Sequence, residues 1–232
     1  VKRFWNEARV AEGEDGFAIL LDGRPMRLPG GGPIRVDSRP LAEALAEEWQ
    51  LAGGAKDGEM RPEDVPLTRV VGTAMERIAQ AREPTIEAIA RYGETELLCY
   101  RAEHGRLAEL QAAGWDPWLA WAARDLDAAL RVTAGIMPIT QPPQALSALR
   151  RAVAAKGLIE LSAMGVAVPA LGSLVLGLAL AAGKLTPAEA HRLSTLEECF
   201  QEERWGQDAE AAARRESAAA DVTLAARLLA LA

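Results

Sequence analysis

The sequence predicts an α+β protein, with a small N-terminal β-rich domain followed by a larger, mainly α-helical domain. Three observations carry this reading. The first 36 residues alternate short apolar runs with Gly- and Pro-rich turns, and residues 53–66 collect Gly, Asp, Glu and two prolines in the manner of a linker. Beyond them, apolar residues recur at helical spacing almost to the end. The expected division is therefore 1–66 for the β-rich domain, which includes one helix, and 67–232 for the helical domain.

Taken in order, an early strand over Phe4 to Val10 precedes a turn at Gly13 to Gly16 and a second strand, Phe17 to Leu21. Asp22-Gly23 then predicts a tight hairpin, because both central positions of a type I′ turn need positive φ. The next strand is expected over Arg24 to Leu28. Gly30 to Gly32 lacks the GK[ST] ending and the GxGxxG spacing of phosphate-binding loops, and reads as a hairpin loop. Ser38 caps a helix with Pro40 in its first turn, and Leu41, Leu45 and Trp49 form its buried stripe up to the stop at Gly53-Gly54. In the helical part, Val70, Val71, Ala74 and Ile78 form one stripe, and Glu83-Pro84 opens a helix through Tyr92. Asp116-Pro117 reads as a helix start, with Trp118 and Trp121 on one face. Pro138 to Pro143 interrupts the chain again. Thr186-Pro187-Ala188-Glu189 has the form of a capping box, opening a helix expected to run past Phe200.

Composition narrows the function. Half the residues are hydrophobic and a quarter are charged, so the chain can bury a core and lacks the signature of disorder. With 26 basic against 33 acidic residues, a formal charge of −7 and no basic run, nucleic-acid binding through phosphate neutralisation is not expected. Of the basic residues, 22 are Arg and four are Lys, which with the Ala excess points to a GC-rich bacterial genome. Cys99 and Cys199 lie far apart without metal-ligand spacing, so neither a disulfide framework nor a zinc site is expected. The first residues show no apolar segment of the secretory type. Leu161 to Gly183 is 23 residues without a charge, long enough for a membrane helix. Pro169, four glycines, two serines and the lack of flanking positive or aromatic belts favour a buried helix from Pro169 to Gly183 instead.

Little catalytic chemistry is visible. His104 and His191 have no partner at triad spacing, and Cys99 lies in an apolar run where a buried thiol is expected. The late helix is more informative. Leu193, Leu196 and Phe200 make its core stripe, while Glu197, Gln201, Trp205 and Asp208 project in an adjoining band. Such a band fits a protein-protein contact patch, but these residues alone fit somewhat better a helix rim with Trp205 tucked against a neighbour and Glu197 paired to an Arg such as Arg204. Both readings stay open.

A set of short stretches occurs in a familiar order: Phe4-Trp5, Ile19 to Pro25, Glu48-Trp49, Pro66-Leu67-Thr68-Arg69, Leu97 to Ala102, Trp115-Asp116-Pro117, Leu171 to Leu176, and Leu196-Glu197-Glu198 through Gln201 to Trp205-Gly206. Over almost the whole chain this pattern resembles the assembly chaperones for the alpha subunit of the F-type ATP synthase catalytic head, of the mitochondrial and alpha-proteobacterial assembly factor 2 type. The resemblance implies a non-enzymatic chaperone, without cofactor or metal, that holds the new alpha subunit until the beta subunit replaces it. It implies a monomer with no membrane insertion, in the cytoplasm if bacterial or the mitochondrial matrix if eukaryotic. The family's emphasis on a late glutamate carries onto Glu197, and its neighbouring pattern onto Gln201 and Trp205; with Asp208 they form the candidate partner-binding set. Two departures are Glu96, where Asp is the family's residue, and Val168-Pro169 before the Leu-Gly-Ser stretch. The alternatives are a small-molecule enzyme with a pocket between the two domains and a membrane-anchored adaptor.

Overall fold

Alternation of apolar and polar residues builds a small sheet at the start of the chain. In the computed structural model, which describes residues 2–135 and 137–232, β1 (Ala8–Gly13) pairs antiparallel with β2 (Gly16–Leu21), Val10 opposite Ile19. Two short strands, β3 (Arg24–Pro25) and β4 (Arg35–Val36), also pair with β2, at Leu20–Leu21 and Phe17–Ala18. Asp22 and Gly23 take φ of 47° and 80°, the expected mirror-image turn. The Asp22 carboxylate accepts the backbone N–H groups of Glu7 (2.9 Å) and Asn6 (3.0 Å), which hold its pKa below the usual value. The first strand begins at Ala8, later than the sequence predicts, because Arg3 and Trp5 turn inward. The third strand is also shorter than expected, although Leu28 N–H donates to Gly32 and Gly31 N–H to Leu28 across the predicted glycine loop.

Ser38 caps α1 (Arg39–Leu51), its hydroxyl accepting from Leu41 N–H at 3.3 Å, and Leu41 and Leu45 are buried. The far end of α1 is closed by Arg3. Only 2% exposed, its guanidinium donates to the carbonyls of Trp5, Gln50, Ala52, Gly54 and Asn6, at 2.8 to 3.3 Å. A cation at a helix C-terminus is favoured by the orphan carbonyls gathered there. Trp5 packs on Trp49 at 5.0 Å and donates its indole N–H to the Trp49 carbonyl. A second charged cap comes from α1 itself: the Glu48 carboxylate accepts from Leu67 N–H, Thr68 N–H and the Thr68 hydroxyl, satisfying the first turn of α2 (Pro66–Thr73). A wider π-helical turn, Ala74–Ile78, follows.

By its internal contacts the chain divides into two compact units, one of residues up to Gln80 together with Arg227–Ala232, the other Ala81–Ala226. The second unit contains α3 (Arg82–Ala90), a tight turn at Leu97–Cys99, and β5 (Tyr100–Arg101), which pairs in parallel with β6 (Thr133–Ala134). Between those strands lies α4 (Arg106–Asp125). Then come α5 (Pro143–Ala154), α6 (Leu158–Leu171), α7 (Leu174–Ala181), α8 (Pro187–Ser194), α9 (Leu196–Trp205) and α10 (Ala209–Leu231), whose last residues belong to the first unit.

Three helix boundaries differ from the sequence expectation. The helix α4 passes through Asp116-Pro117 instead of starting there. Proline removes one backbone donor, but Trp115 on one side and Trp121 and Ala122 on the other are buried and hold the helix across it. The uncharged segment is two helices, not one from Pro169: Pro169 sits in the last turn of α6, Gly172 ends it at φ 61°, and Ser173 caps α7 through Leu176 N–H. The predicted late helix also breaks, at Thr195, whose hydroxyl and N–H both donate to the His191 carbonyl. The capping box at Thr186 and Glu189 forms as expected.

Every residue of α7 from Leu174 to Leu180 is buried. Its N-terminal donors are met by Glu96, a fully buried side chain that accepts from the Ser173 hydroxyl, Leu174 N–H (2.9 Å), Val175 N–H (3.1 Å) and Leu98 N–H (3.3 Å). Burial pushes the Glu96 pKa up, and these donors pull it back. The two apolar helices approach closely at Gly177, where an added Cβ would lie 2.5 Å from Val168 Cγ2. A Gly177→Ala variant is expected to lose about 1–3 kcal/mol by overpacking, read from its urea midpoint. Because folding raises the Glu96 pKa, its proton-linked stability is fully present below the ordinary value of 4.5 and is lost as pH rises through the folded value. Wild type should therefore gain stability relative to Glu96→Gln as pH falls from about 7 to about 5; a flat difference in denaturant midpoint would contradict this linkage.

Candidate functional site

On α9, Glu197 lies in the first turn, where a carboxylate is favoured by the helix N-terminus. Two amides orient it: Gln111 Nε2 donates to Oε2 at 3.3 Å and Gln201 Nε2 to Oε1 at 3.2 Å. Gln111, on α4, is fully buried, and its own carbonyl oxygen accepts Ala102 N–H at 2.7 Å. That bond fixes which end of the amide points at Glu197. Among the described residues no ion pair includes Glu197, so its carboxyl group is held in place by neutral amides alone.

The platform beneath it is rigid. One turn along α4 from Gln111, the buried Trp115 donates its indole N–H to the Leu193 carbonyl at 2.9 Å, fixing α4 to the end of α8. At Gly114 an added Cβ would come within 3.2 Å of Leu196 and 3.3 Å of Leu193, so the missing side chain allows this approach. Arg101 covers Trp115 at 5.2 Å, donates to the Leu98 carbonyl at 2.7 Å and pairs with Asp116 at 2.8 Å. On the other side of α9, Arg215 of α10 pairs with Glu202 at 2.6 Å and Glu198 at 3.4 Å.

The sequence-predicted residues fall along one line of α9 and its exit. Gln201 follows Glu197 by one turn and bonds to it; Trp205 follows by another and is 78% exposed. Arg204 stacks over Phe200 at 4.6 Å, so it does not serve as the partner of Glu197. Gly206 ends α9, and Asp208 caps α10 by accepting from Glu210 N–H at 2.8 Å and Ala211 N–H at 3.3 Å. The line therefore presents an oriented carboxylate, an amide, an exposed indole and an acidic helix cap. Gln111 was not visible as part of this site; its one sequence signal is a polar residue one turn before Trp115 on a buried stripe.

Elsewhere, groups suited to catalysis are poorly placed for it. Burial pushes the Cys99 thiol up to about 12, helped by the nearby Glu96, so almost no thiolate forms near neutral pH. His104 is exposed, and His191 Nε2 is buried with no hydrogen-bond partner among the described residues. Among the described residues no group of three His, Cys, Asp or Glu side chains could hold a metal ion, and no helix is long and apolar enough to cross a membrane.

Residues 2–123 match the family model described as ATP12 chaperone protein. The chain is 26% identical over 220 residues to the mitochondrial protein atp12 of Schizosaccharomyces pombe, covering 88% of this chain and 74% of that one. Its structure is similar to that of Atp12 from Paracoccus denitrificans, with a TM-score of 0.93, 41% identity, and coverage of 99% of this chain and 97% of that one. A structure from Agrobacterium tumefaciens is similar at TM-score 0.91 and 37% identity, covering 99% of this chain and 85% of that one.

Replacing Gln111 by Leu should destabilise the fold by about 1–3 kcal/mol, since Ala102 N–H loses its buried acceptor. Chemical denaturation of the variant checks the size of the loss.

Proposed function

The chain belongs to the ATP12 chaperone family, and from that premise we propose that it holds the unassembled alpha subunit of the F-type ATP synthase until the beta subunit replaces it. The family acts in ATP synthase assembly, and its model and the similar Agrobacterium tumefaciens protein are described as chaperones, not enzymes. An alpha subunit without its neighbour exposes apolar interface patches that drive aggregation, and a transient partner must cover them yet let go. Contacts with a few anchors in a polar setting serve that purpose better than a large apolar face.

One observation carries the assignment of the contact surface: Glu197 is oriented by two amides and has no cation of its own chain among the described residues. In this reading Glu197 pairs with a basic group on the client, Trp205 supplies apolar contact, and Gln201 and Asp208 complete the patch. A preset carboxylate costs less to bring into an ion pair than one that must first be ordered. The protein works as a monomer, in the cytoplasm of a bacterium or in the mitochondrial matrix.

Co-expression with both subunits tests the client: alpha, and not beta, is expected to co-purify. A Glu197→Lys protein should stay folded by circular dichroism and fail to suppress light scattering by alpha, while Trp205→Ala should weaken binding by about 2 kcal/mol. Full suppression by a folded Glu197→Lys protein would remove Glu197 from the contact.

A further inference from the structure

The first unit contains a cleft of about 630 Å³ that belongs to none of the foregoing. On one side lie residues 26–29, after β3; on the other lie α2 and the π-helical turn. Its apolar wall includes Met26, Leu28 and Trp49. The indole is locked, because its Nε1 donates to Thr68 Oγ1 at 2.8 Å and that hydroxyl donates to Glu48.

Three arginines, Arg27, Arg69 and Arg77, line this cleft, against one acidic residue, Glu76. All three arginines are exposed, and none forms an ion pair among the described residues. Glu76 is already engaged, accepting Gly30 N–H at 2.6 Å. A positive, apolar-walled cleft thus stands on a chain whose formal charge is −7.

We propose that this cleft binds an extended acidic segment of a protein partner, with carboxylates on the arginines and an apolar side chain against Trp49 and Leu28. The spacing of charge argues for a chain over a compact anion. Arg69 and Arg77 are eight residues apart along α2 and the π-helical turn, at most about 12 Å along the axis. A phosphate would require convergent donors, whereas carboxylates at positions i and i+4 of an extended strand are about 13 Å apart and face the same way. Guanidinium forks suit planar carboxylates, and the rigid indole limits the ordering cost. The inference does not depend on which subunit the protein serves.

The test uses the full chain and a short, end-blocked, fluorescein-labelled peptide of alternating Glu and Leu, followed by fluorescence anisotropy. Binding should weaken with salt and fall about tenfold or more when Gln replaces Glu in the peptide or when the chain carries Arg69→Glu and Arg77→Glu. The milder pair Arg69→Gln and Arg77→Gln should give an intermediate loss, with circular dichroism unchanged in both. Equal affinity for the Gln peptide, or binding insensitive to both arginine pairs, would overturn the proposal. So would full competition by inorganic phosphate at matched ionic strength, which marks a compact-anion site. Concentration-dependent dimerisation abolished by the same substitutions would overturn it too, since the occupant would be a second copy of the chain.

Discussion

The helix α7 is eight residues long and wholly apolar, and water cannot reach its first N–H groups. Each unsatisfied donor there would cost as much as a lost hydrogen bond, so the second unit depends on what meets them. Glu96 and Ser173 meet them together, the hydroxyl serving Leu176 and the carboxylate serving Leu174 and Val175. A buried charge is costly by itself. Here the oriented donors and the positive end of the helix offset part of that cost, and the pKa stays above its ordinary value. The same carboxylate also takes Leu98 N–H, which sets the tight turn before β5. From that turn the Leu98 carbonyl fixes Arg101, Ala102 fixes Gln111, and Gln111 fixes Glu197. A run of hydrogen bonds thus connects the most apolar part of the core to the anion at the surface.

The first unit solves the same problem with different residues. Glu48 serves the opening turn of α2 from the end of α1, and Arg3 serves the carbonyls where α1 stops. In each case a long side chain from another element does what a local cap does elsewhere, and it binds two elements in doing so. Trp5 and Trp115 extend this use of polar tips: each fills a core position with its ring and donates its N–H to a distant carbonyl.

These long-range caps explain which parts of the structure were legible in the sequence. Asp22-Gly23, Ser38 and the Thr186–Glu189 box act within four residues, so their chemistry is visible in a linear reading, and the structure bears them out. The breaks at Gly172 and Thr195 and the passage of α4 through Pro117 were not legible, because burial on either side decides them. The candidate band on α9 was readable as a helical face, but the orientation of Glu197 was not, since Gln111 lies 86 residues away. Glu96 stood out only as a departure from a family pattern; its role as a cap appears when Ser173, 77 residues later, is brought beside it.

The composition of the first unit has a consequence for biogenesis. Its sheet and α1 are made early, but Arg227–Ala232 belong to it as well, and Glu47 is paired with Arg227 at 3.8 Å. Translation delivers the second unit in full before those residues emerge, so the order of synthesis and the order of completion are reversed: the part begun first is finished last. A nascent chain stalled before residue 227 holds the whole of the second unit but lacks the last segment of the first.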